Sequence, residues 1–559
     1  MIVYQYDSPL SVRQAIQHDE ALVRSSKLFR GLVSFSSMTL LSRIFGLFRD
    51  QAIQMTYGAN ALTDAFWLAF RIPNFLRRLF AEGSFATAFV PVFTEVKEKG
   101  SFPALKELIA RTSGTLAGVL LIVTGLGIYF APELTRLFFA GPATTPEQMN
   151  LTVHLLRLTF PFLLCVSLTA LVAGVLNSFQ QFAIPALTPV ILNLCMIAGA
   201  LWLAPHLSVP IMALGWAVLL GGILQLLFQL IPLYRIGLLA APAWGWGHVG
   251  VQKILRLMVP TLFGSSIAQI NLLIDTVIAA HLAAGSQSWL SLADRFLELP
   301  LGLFGVALGT VILPALARQH VKTDVAGFSA ALDWGLRTTL LVAVPAMVSL
   351  WVLAKPMITA LFEYGRFHTF DTRMTALSVY GLSFGLPAFA LLKIILPAFY
   401  ARQDTKTPAQ AGIVALLANI IFNFVLLGVL YVIMVPSALQ RQGLLVVLSQ
   451  QPGLHFALGI ASALSSYLNL SLLWFWLQRS GNYQCQPQWP RFLVQLLISS
   501  TVMAGLLSIA VCYLPDFTSM TRWMRLGCLL GLVAWGGGSF IACQWVLGFR
   551  WHHLRGHIS

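Results

Sequence analysis

Residues 408–434 read PAQAGIVALLANIIFNFVLLGVLYVIM and contain no charged side chain. A helix needs about 20 apolar residues to cross the roughly 30 Å hydrocarbon core of a bilayer, so this stretch is long enough to span one. The whole chain has the same character, because 57% of its 559 residues are hydrophobic and only 10% are charged. Soluble domains carry about 25% charged residues. The composition therefore excludes a cytosolic enzyme and indicates a membrane protein.

About fourteen apolar segments of this kind follow one another along the chain. Their length excludes a transmembrane β-barrel, whose strands alternate apolar and polar residues over about ten positions. We therefore predict an all-α polytopic membrane protein with about 14 transmembrane helices. The predicted spans lie near residues 31–53, 61–92, 114–140, 155–178, 184–204, 209–234, 254–283, 288–316, 336–361, 376–401, 408–434, 453–478, 491–514 and 523–548.

Basic residues are distributed unequally between the loops that join these segments. Alternate loops hold most of them, including Lys99, Lys106, Lys253, Arg402 and Arg479. Because Lys and Arg are enriched in cytoplasmic loops, this pattern predicts that both termini are cytoplasmic. The same enrichment explains much of the net charge of +15, so we do not predict nucleic-acid binding.

A short internal repeat indicates how the spans are organised. Residues 68–71 read LAFR and residues 292–295 read LADR, and each lies in the second span of a set of six. An even number of spans gives two halves with the same orientation. We therefore predict two six-helix lobes in a parallel pseudo-twofold repeat, plus two extra C-terminal helices. The predicted parts are a cytoplasmic N-terminal extension (1–30), an N-lobe with spans 1 to 6 (31–245), a C-lobe with spans 7 to 12 (246–480), and spans 13 and 14 with the C-terminal tail (481–559).

Charged side chains inside the predicted spans are candidates for function, because an ionised group at the bilayer centre costs about 2.5–3.5 kcal/mol. Some of them, such as Arg78 and Asp294, are equally well explained by structural ion pairs or by side chains that reach the membrane surface. Arg49, Arg77 and Arg295 around one space would bind an anion with several oxygens, such as a diphosphate. This predicts an anionic cargo between the lobes. The first two spans and the eighth contain Arg43, Arg49, Asp50, Asp64, Arg71, Arg77, Arg78, Glu82, Asp294, Arg295 and Glu298.

A second polar set lies in the predicted C-lobe. Asp275 stands alone in the seventh span, and Asn419 and Asn423 lie one turn apart in the eleventh. Carboxylate and amide oxygens suit a small hard cation such as Na⁺, whereas hydrogen bonds between helices explain the same asparagines. Lys393 in the tenth span is an alternative partner for Asp275. These residues leave the alternatives open, and no other cofactor is predicted.

Several sequence motifs closely resemble those of the MurJ (MviN) family of lipid II flippases. The resemblance extends from about residue 31 to the C-terminus, and only the N-terminal extension departs from the family pattern. The motifs that carry it are SMTLLSRIFGLFRD (37–50), TDAF (63–66), PNFLRRLFAEG (73–83), ADR (293–295), GVALGT (305–310) and RQDTKTP (402–408).

The resemblance implies a fold and a function. It implies a member of the multidrug/oligosaccharidyl-lipid/polysaccharide exporter superfamily, in which the last two helices form a groove for the polyprenyl tail. It implies a transporter, not an enzyme, that moves the undecaprenyl-diphosphate-linked peptidoglycan precursor from the cytoplasmic to the periplasmic leaflet of the bacterial inner membrane by alternating access. Its partners would be lipid II, membrane lipids and the peptidoglycan synthesis machinery.

The resemblance also assigns roles to particular residues. It implies a substrate-binding role in a central cavity for one set, and some relatives carry a sodium site between the seventh and eleventh spans. The implied cavity residues are Arg43, Arg49, Asp64, Arg77, Arg295 and Glu298, and the residues at the sodium position are Asp275, Asn419 and Asn423.

Two other functions remain open from the sequence. A flippase for O-antigen, or for another polyprenyl-diphosphate oligosaccharide, would carry a cargo with the same diphosphate linkage. A membrane glycosyltransferase would need an exposed acid or metal site in a substantial periplasmic loop. The predicted loops are too short and too poor in acids for such a site, which disfavours the enzyme.

Overall fold

The structure is a computed structural model. The part of the chain that it describes is α-helical and contains no β-strand. The predicted N-terminal extension, Glu82 and the motif at 305–310 lie outside the residues that the structure describes. The all-α prediction is confirmed. The structure describes residues 38, 41–78, 85–139, 144–179, 181–302, 312–313, 316–320, 324–436, 440, 444–481, 483–486 and 488–548, with only the backbone described at 86–87, 259–268 and 445.

The helices follow one another with short connections. In the N-terminal half they are α1 (41–57), α2 (Ala61–Arg77), α3 (Phe85–Lys99), α4 (Phe102–Tyr129), α5 (Ala131–Phe139), α6 (Pro146–Thr159), α7 (Phe162–Ser178), α8 (Ala183–Ala198) and α9 (Met212–Arg235). In the C-terminal half they are α10 (Val249–Ala280), α11 (Ser286–Pro300), α12 (Val325–Phe362), α13 (Thr369–Phe384), α14 (Leu386–Tyr400), α15 (Lys406–Met434), α16 (Leu444–Gln450), α17 (Phe456–Arg479), α18 (Trp489–Tyr513) and α19 (Arg522–Val546).

Ten helical stretches of the described chain are long and apolar enough to cross a membrane. The protein is therefore a multi-pass membrane protein. The predicted spans 31–53, 61–92, 254–283 and 288–316 overlap α1 to α3, α10 and α11, which carry charged side chains or include residues outside the described ones. The total of fourteen spans stays a prediction. The ten stretches are Phe102–Tyr129, Pro146–Ser178, Ala183–His206, Met212–Arg235, Val325–Phe362, Thr369–Tyr400, Lys406–Met434, Phe456–Arg479, Trp489–Tyr513 and Arg522–Val546.

Polar side chains fix where several helices begin. The Oδ1 atom of Asn60 accepts hydrogen bonds from the backbone at the start of α2, and Ser101 and Thr145 cap α4 and α6 in the same way. Such caps satisfy amide groups that have no partner within the helix. The apolar run alone predicts a third span at 114–140. The Ser101 cap instead starts α4 twelve residues earlier, with a polar first segment that includes Lys106.

Buried apolar side chains hold the helices together in separate clusters. One cluster joins α1, α2 and α4 to α9 and includes Phe66, Leu155 and Phe162. Another joins α11, α12 and α13 and includes Phe296 and Phe362. Helix α10 packs against both α3 and α15, whereas α18 and α19 pack against each other and against α12. The boundaries of the two lobes stay a prediction.

The end of α1 interlocks with the loop between α12 and α13. The backbone amide of Arg366 donates to the carbonyl of Met55 at 3.1 Å. Gly58 and Gly365 both have positive φ, at 73° and 61°. A Cβ atom on Gly58 would lie 2.6 Å from the carbonyl oxygen of Arg366. Glycine is therefore required here both by backbone conformation and by space.

Replacing Gly58 by alanine is expected to destabilise the protein by about 1–3 kcal/mol, because the new methyl group meets backbone and the left-handed conformation becomes strained. The matched control is Gly125→Ala in α4, where a Cβ atom would meet nothing within 4 Å. Thermal unfolding in detergent measures both. Equal melting temperatures for the two variants would show that the interlock does not hold the structure together.

Candidate binding cavity

A cavity of about 600 Å³ lies between α1, α2, α10, α11, α14 and α17. Because these helices come from both halves of the chain, the cavity lies at their junction. Charged groups of both signs line it, so its wall is nearly balanced in charge. Its basic side chains are Arg49, Arg71, Arg78, Arg295 and Lys393, and its acidic side chains are Asp50, Asp275, Asp294 and Glu298.

A chain of ion pairs joins α1 to α11 across this cavity. Arg49 donates to Oδ1 of Asp50 through Nη2 at 2.6 Å and through Nε at 2.9 Å. The other oxygen of Asp50 lies 2.9 Å from Nε of Arg295, and Nη1 of Arg295 donates to Oε2 of Glu298 at 3.0 Å. Asp50 therefore lies between two guanidinium groups, one from each half of the chain.

The ion-pair chain runs from the interior into the open cavity. The Arg49 and Asp50 side chains are 8% and 5% exposed, whereas those of Arg295 and Glu298 are 38% and 47% exposed. The Nη2 group of Arg295 has no hydrogen-bond partner among the described residues. The fixed part of the network thus positions a guanidinium group that keeps a free donor for a ligand.

Two further contacts support the α1 side of this network. The guanidinium group of Arg43 donates to the backbone carbonyl of Glu298 at 2.8 Å, although Arg43 does not itself line the cavity. Asn193 of α8 accepts from Nη1 of Arg49 at 3.1 Å and donates to the carbonyl of Ser42 at 3.2 Å. Asn193 was not among the predicted site residues, because nothing in an isolated asparagine identifies its partner.

The arginines of α2 divide between different environments. Arg71 donates from Nε to Oγ1 of Thr276 in α10 at 2.7 Å, and Arg71 and Arg78 both line the cavity. Arg77 donates to Asn74 at 2.9 Å and lies off the cavity lining. The spacing of seven between Arg71 and Arg78 places them on one helical face and is a sequence signal that could have identified both as cavity residues.

Asp64 does not line the cavity but contacts Ser288, which does, at the start of α11. Its Oδ2 atom accepts from the amide of Gly285 at 2.7 Å, and its Oδ1 atom accepts from the amide and the hydroxyl of Ser288 at 2.9 Å and 2.6 Å. Asp64 is buried, and it faces the positive end of the α11 dipole. It therefore caps α11, which belongs to the other half of the chain, and joins α2 to α11.

The second polar set is brought together around Asp275. Its Oδ1 atom accepts from the amides of Asn419 and Asn423 at 2.9 Å and 2.8 Å, and its Oδ2 atom accepts from Ser462 at 2.8 Å. These partners occupy the carboxylate in place of Lys393, which lines the cavity separately. The Oδ1 atoms of Asn419 and Asn423 are buried without a hydrogen-bond partner. The described residues contain no group of three His, Cys, Asp or Glu side chains for a metal ion.

The predicted site residues thus fall into two groups. Arg49, Asp275, Arg295 and Glu298 line the cavity. The others contact a lining residue without lining the cavity themselves. Arg43 contacts Glu298, Asp64 contacts Ser288, Arg77 contacts Asn74, and Asn419 and Asn423 contact Asp275. Sequence reasoning named Asp50 and Arg71 only as charges within spans and Lys393 only as a partner for Asp275, although Asp50 contacts two arginines of the site. It missed Thr276 and Ser462.

Comparison with known proteins identifies relatives over nearly the whole chain. The sequence model of the family described as "Lipid II flippase MurJ" matches residues 53–530. The "Probable lipid II flippase MurJ" of Vibrio cholerae is 40% identical over 546 residues, which cover 95% of this chain and 98% of that protein. The "Lipid II flippase MurJ" of Burkholderia cenocepacia is 39% identical over 536 residues, which cover 94% of this chain and 99% of that protein.

Solved structures agree with these sequence matches. A structure titled "Lipid II flippase MurJ, inward closed conformation" superposes with a TM-score of 0.73 at 25% identity, over 92% of this chain and 98% of that one. An inward-facing multidrug resistance MATE family transporter of the MOP superfamily superposes with a TM-score of 0.62 at 12% identity, over 80% of this chain and 97% of that one, and shares the fold alone. By sequence over most of its length, the chain belongs to the MurJ family of lipid II flippases.

Proposed function

We propose that this protein flips lipid II from the cytoplasmic to the periplasmic leaflet of the bacterial inner membrane by alternating access. The observation that carries the proposal is that guanidinium groups of α1 and α11 meet in one cavity between the two halves. A planar guanidinium group binds phosphate oxygens through paired, charge-assisted hydrogen bonds. The diphosphate of the cargo is the group that this cavity would bind.

The cargo needs such a cavity because its head group cannot cross hydrocarbon unaided. Moving polar or charged groups from water into an apolar medium costs several kcal/mol for each unpaired group. A cavity of about 600 Å³ lined by ionic and amide side chains replaces part of that hydration. The polyprenyl tail would remain in the bilayer beside α18 and α19, whose outer surfaces expose Leu497, Leu530 and Val533.

Internal ion pairs explain how the cavity can be empty for part of the cycle. Arg49 and Arg295 share Asp50, and Arg295 also contacts Glu298, so the guanidinium charges are balanced without cargo. A bound diphosphate would compete with Glu298 for Arg295, because Glu298 is the more exposed of its two acidic partners. Release would restore the ion pair, so Arg295 keeps an anionic partner both with and without cargo.

Asp64 provides a contact that must open during transport. In the proposed orientation both termini are cytoplasmic, so the α1–α2 connection and the Asp64 contact lie at the periplasmic end. Hydrogen bonds to a charged group contribute about 1.5–3 kcal/mol each. Loss of the three hydrogen bonds that Asp64 accepts would separate α2 from α11 and open the cavity outward.

We also propose that Asp275 and its neighbours bind Na⁺. The carboxylate of Asp275 and the hydroxyl of Ser462 already lie together, and two buried amide oxygens nearby have no hydrogen-bond partner. Turning the amides of Asn419 and Asn423 would direct these oxygens at an ion, which gives the all-oxygen ligand set that a hard cation prefers. A bound Na⁺ would neutralise Asp275.

Arg295→Ala is expected to lower lipid II flipping by at least about tenfold, because a charge-assisted pair contributes about 1.5–3 kcal/mol. Complementation of a strain depleted of its peptidoglycan flippase measures this, with membrane insertion followed by immunoblot. Lys99→Ala, which removes an exposed charge outside the cavity, is the matched control. Full complementation by both Arg295→Ala and Arg49→Ala would contradict the assignment of the cavity. The same strain separates the two candidate cargoes, because a flippase specific for O-antigen should not restore its growth.

Asp64→Asn is expected to speed hydrogen exchange at the amides of Gly285 and Ser288 by about tenfold or more, since these amides lose a charged acceptor. Exchange of the peptide that contains residues 283–290 reports this change. Asp516→Asn removes a similar cap, on the amide of Thr518, and should leave that peptide unchanged. Unaltered exchange in the Asp64 variant would mean that the contact does not hold α2 and α11 together.

Sodium ions are expected to raise the melting temperature of the purified protein relative to K⁺, by an amount that corresponds to about 2.7 kcal/mol at one hundred times the dissociation constant. Asp275→Asn should abolish the difference, whereas Asp324→Asn, at the α12 cap, should keep it. Equal stability in the two salts for the unmodified protein would rule out the sodium site. This measurement does not depend on transport.

A further inference from the structure

A second polar cleft, which the transport proposal does not use, lies at the ends of α14, α15 and α17. It has a volume of about 370 Å³ and shares no lining residue with the central cavity. The loop between α14 and α15 forms one wall, and the end of α17 forms the other. Its lining residues are Phe399, Arg402, Asp404, Thr407, Gln410, Trp476, Arg479 and Ser480.

The loop of this cleft, residues 402–408, is held in a defined turn. The Oδ1 atom of Asp404 accepts from the amides of Lys406 and Thr407 at 3.1 Å and 3.0 Å, and Gln403 adopts a positive φ of 59°. Burial alone would raise the pKa of Asp404, but hydrogen bonds from Thr407 and Lys406 lower it below its usual value. The carboxylate of Asp404 is therefore already hydrogen-bonded to the backbone of its own turn.

The two arginines of the cleft have donors to spare. Arg402 is fixed by hydrogen bonds to the carbonyl of Ala398 at 3.2 Å and to Oγ of Ser480 at 3.0 Å, and it lies over the ring of Phe399. Its Nη2 group makes no hydrogen bond with the residues described. The Arg479 side chain is exposed and makes no hydrogen bond or ion pair within the described chain. The cleft thus presents two guanidinium groups against one acid that is already used.

The cleft continues into an apolar surface along α15. Thr407 and Gln410 line the cleft, and the next residues at spacings of three, four and seven from Gln410 lie on the same helical face. On α17, the exposed Phe475 lies one turn before Arg479. A molecule with its anionic group in the cleft would therefore lay its apolar part on this face. The exposed apolar residues of the α15 stripe are Ile413, Val414, Leu417, Ile421 and Phe424.

We propose that this cleft binds the phosphate head group of an anionic phospholipid, whose acyl chains lie on the α15 stripe. Charge complementarity favours an anion, because basic pockets at the membrane surface attract anionic head groups. The apolar stripe favours a lipid over free phosphate. Trp476 adds a residue type that is enriched at membrane–water interfaces.

The bound lipid has a consequence for the central cavity. Helix α14 carries Lys393, α15 carries Asn419 and Asn423, and α17 carries Ser462. A lipid that contacts the ends of all three helices holds them in their present relative positions. The anionic lipid thereby stabilises the arrangement that brings Ser462 and the two asparagines to Asp275.

Native mass spectrometry of the purified full-length protein, titrated with phosphatidylglycerol or phosphatidylcholine, tests the proposal. The unmodified protein is expected to bind phosphatidylglycerol at least about tenfold more tightly than phosphatidylcholine, because both lipids carry a phosphate but the choline ammonium group would be repelled by the same two guanidinium groups. Arg402→Gln/Arg479→Gln should remove this preference. Arg479→Gln alone should reduce it, and because the Arg479 side chain makes no hydrogen bond or ion pair within the described chain, that variant tests binding with little effect on folding.

The matched control is Lys99→Gln/Lys106→Gln, which removes the same number of exposed charges elsewhere and should keep the preference. Inorganic phosphate at millimolar concentration should not displace the lipid. Equal binding of the two lipids, an unchanged preference in both arginine variants, or displacement by phosphate alone would overturn the proposal. Because binding is measured on its own, failure of this test leaves the flippase proposal untouched.

Discussion

The shared carboxylate of Asp50 is the contact on which the cavity depends. It lies between Arg49, from the same helix, and Arg295, from the other half of the chain. In hydrocarbon an unpaired guanidinium group is costly, so two arginines can face one cavity only if acids compensate them. Asp50 does this from a buried position, and Glu298 does it from an exposed one. The junction of the two halves is thus built around one exchangeable ionic network.

This network also accounts for a cavity that is nearly neutral overall. An excess of positive charge would bind a diphosphate tightly but would be hard to empty and to expose in turn on both sides of the membrane. Paired charges avoid that difficulty, because in the proposed cycle each partner of an arginine is either the protein's own carboxylate or the cargo's phosphate. Asp64 complements this network, since it joins α2 to α11, whereas the ion pairs join α1 to α11.

Much of this arrangement could be predicted from the sequence, because charges within apolar spans are few and must find partners. That logic led to Arg49, Arg295 and Glu298, and to the meeting of Asp275 with Asn419 and Asn423. This logic failed where a side chain accepts hydrogen bonds from the backbone of another helix. Asp64 caps α11, a role that depends on how the halves pack and leaves no mark in the local sequence. Asn193 and Ser462 were missed because each contacts a charged side chain on another helix, and nothing in the local sequence identifies that partner.

The affinity of the purified protein for lipid II, measured by titration in detergent, tests most directly whether cargo phosphate and Glu298 compete for Arg295. The account predicts that Glu298→Gln binds lipid II at least as tightly as the unmodified protein, since a competing acid is gone, whereas Arg295→Ala binds it at least about tenfold more weakly. Equal affinity for Arg295→Ala and the unmodified protein, or weaker binding by Glu298→Gln, would contradict it.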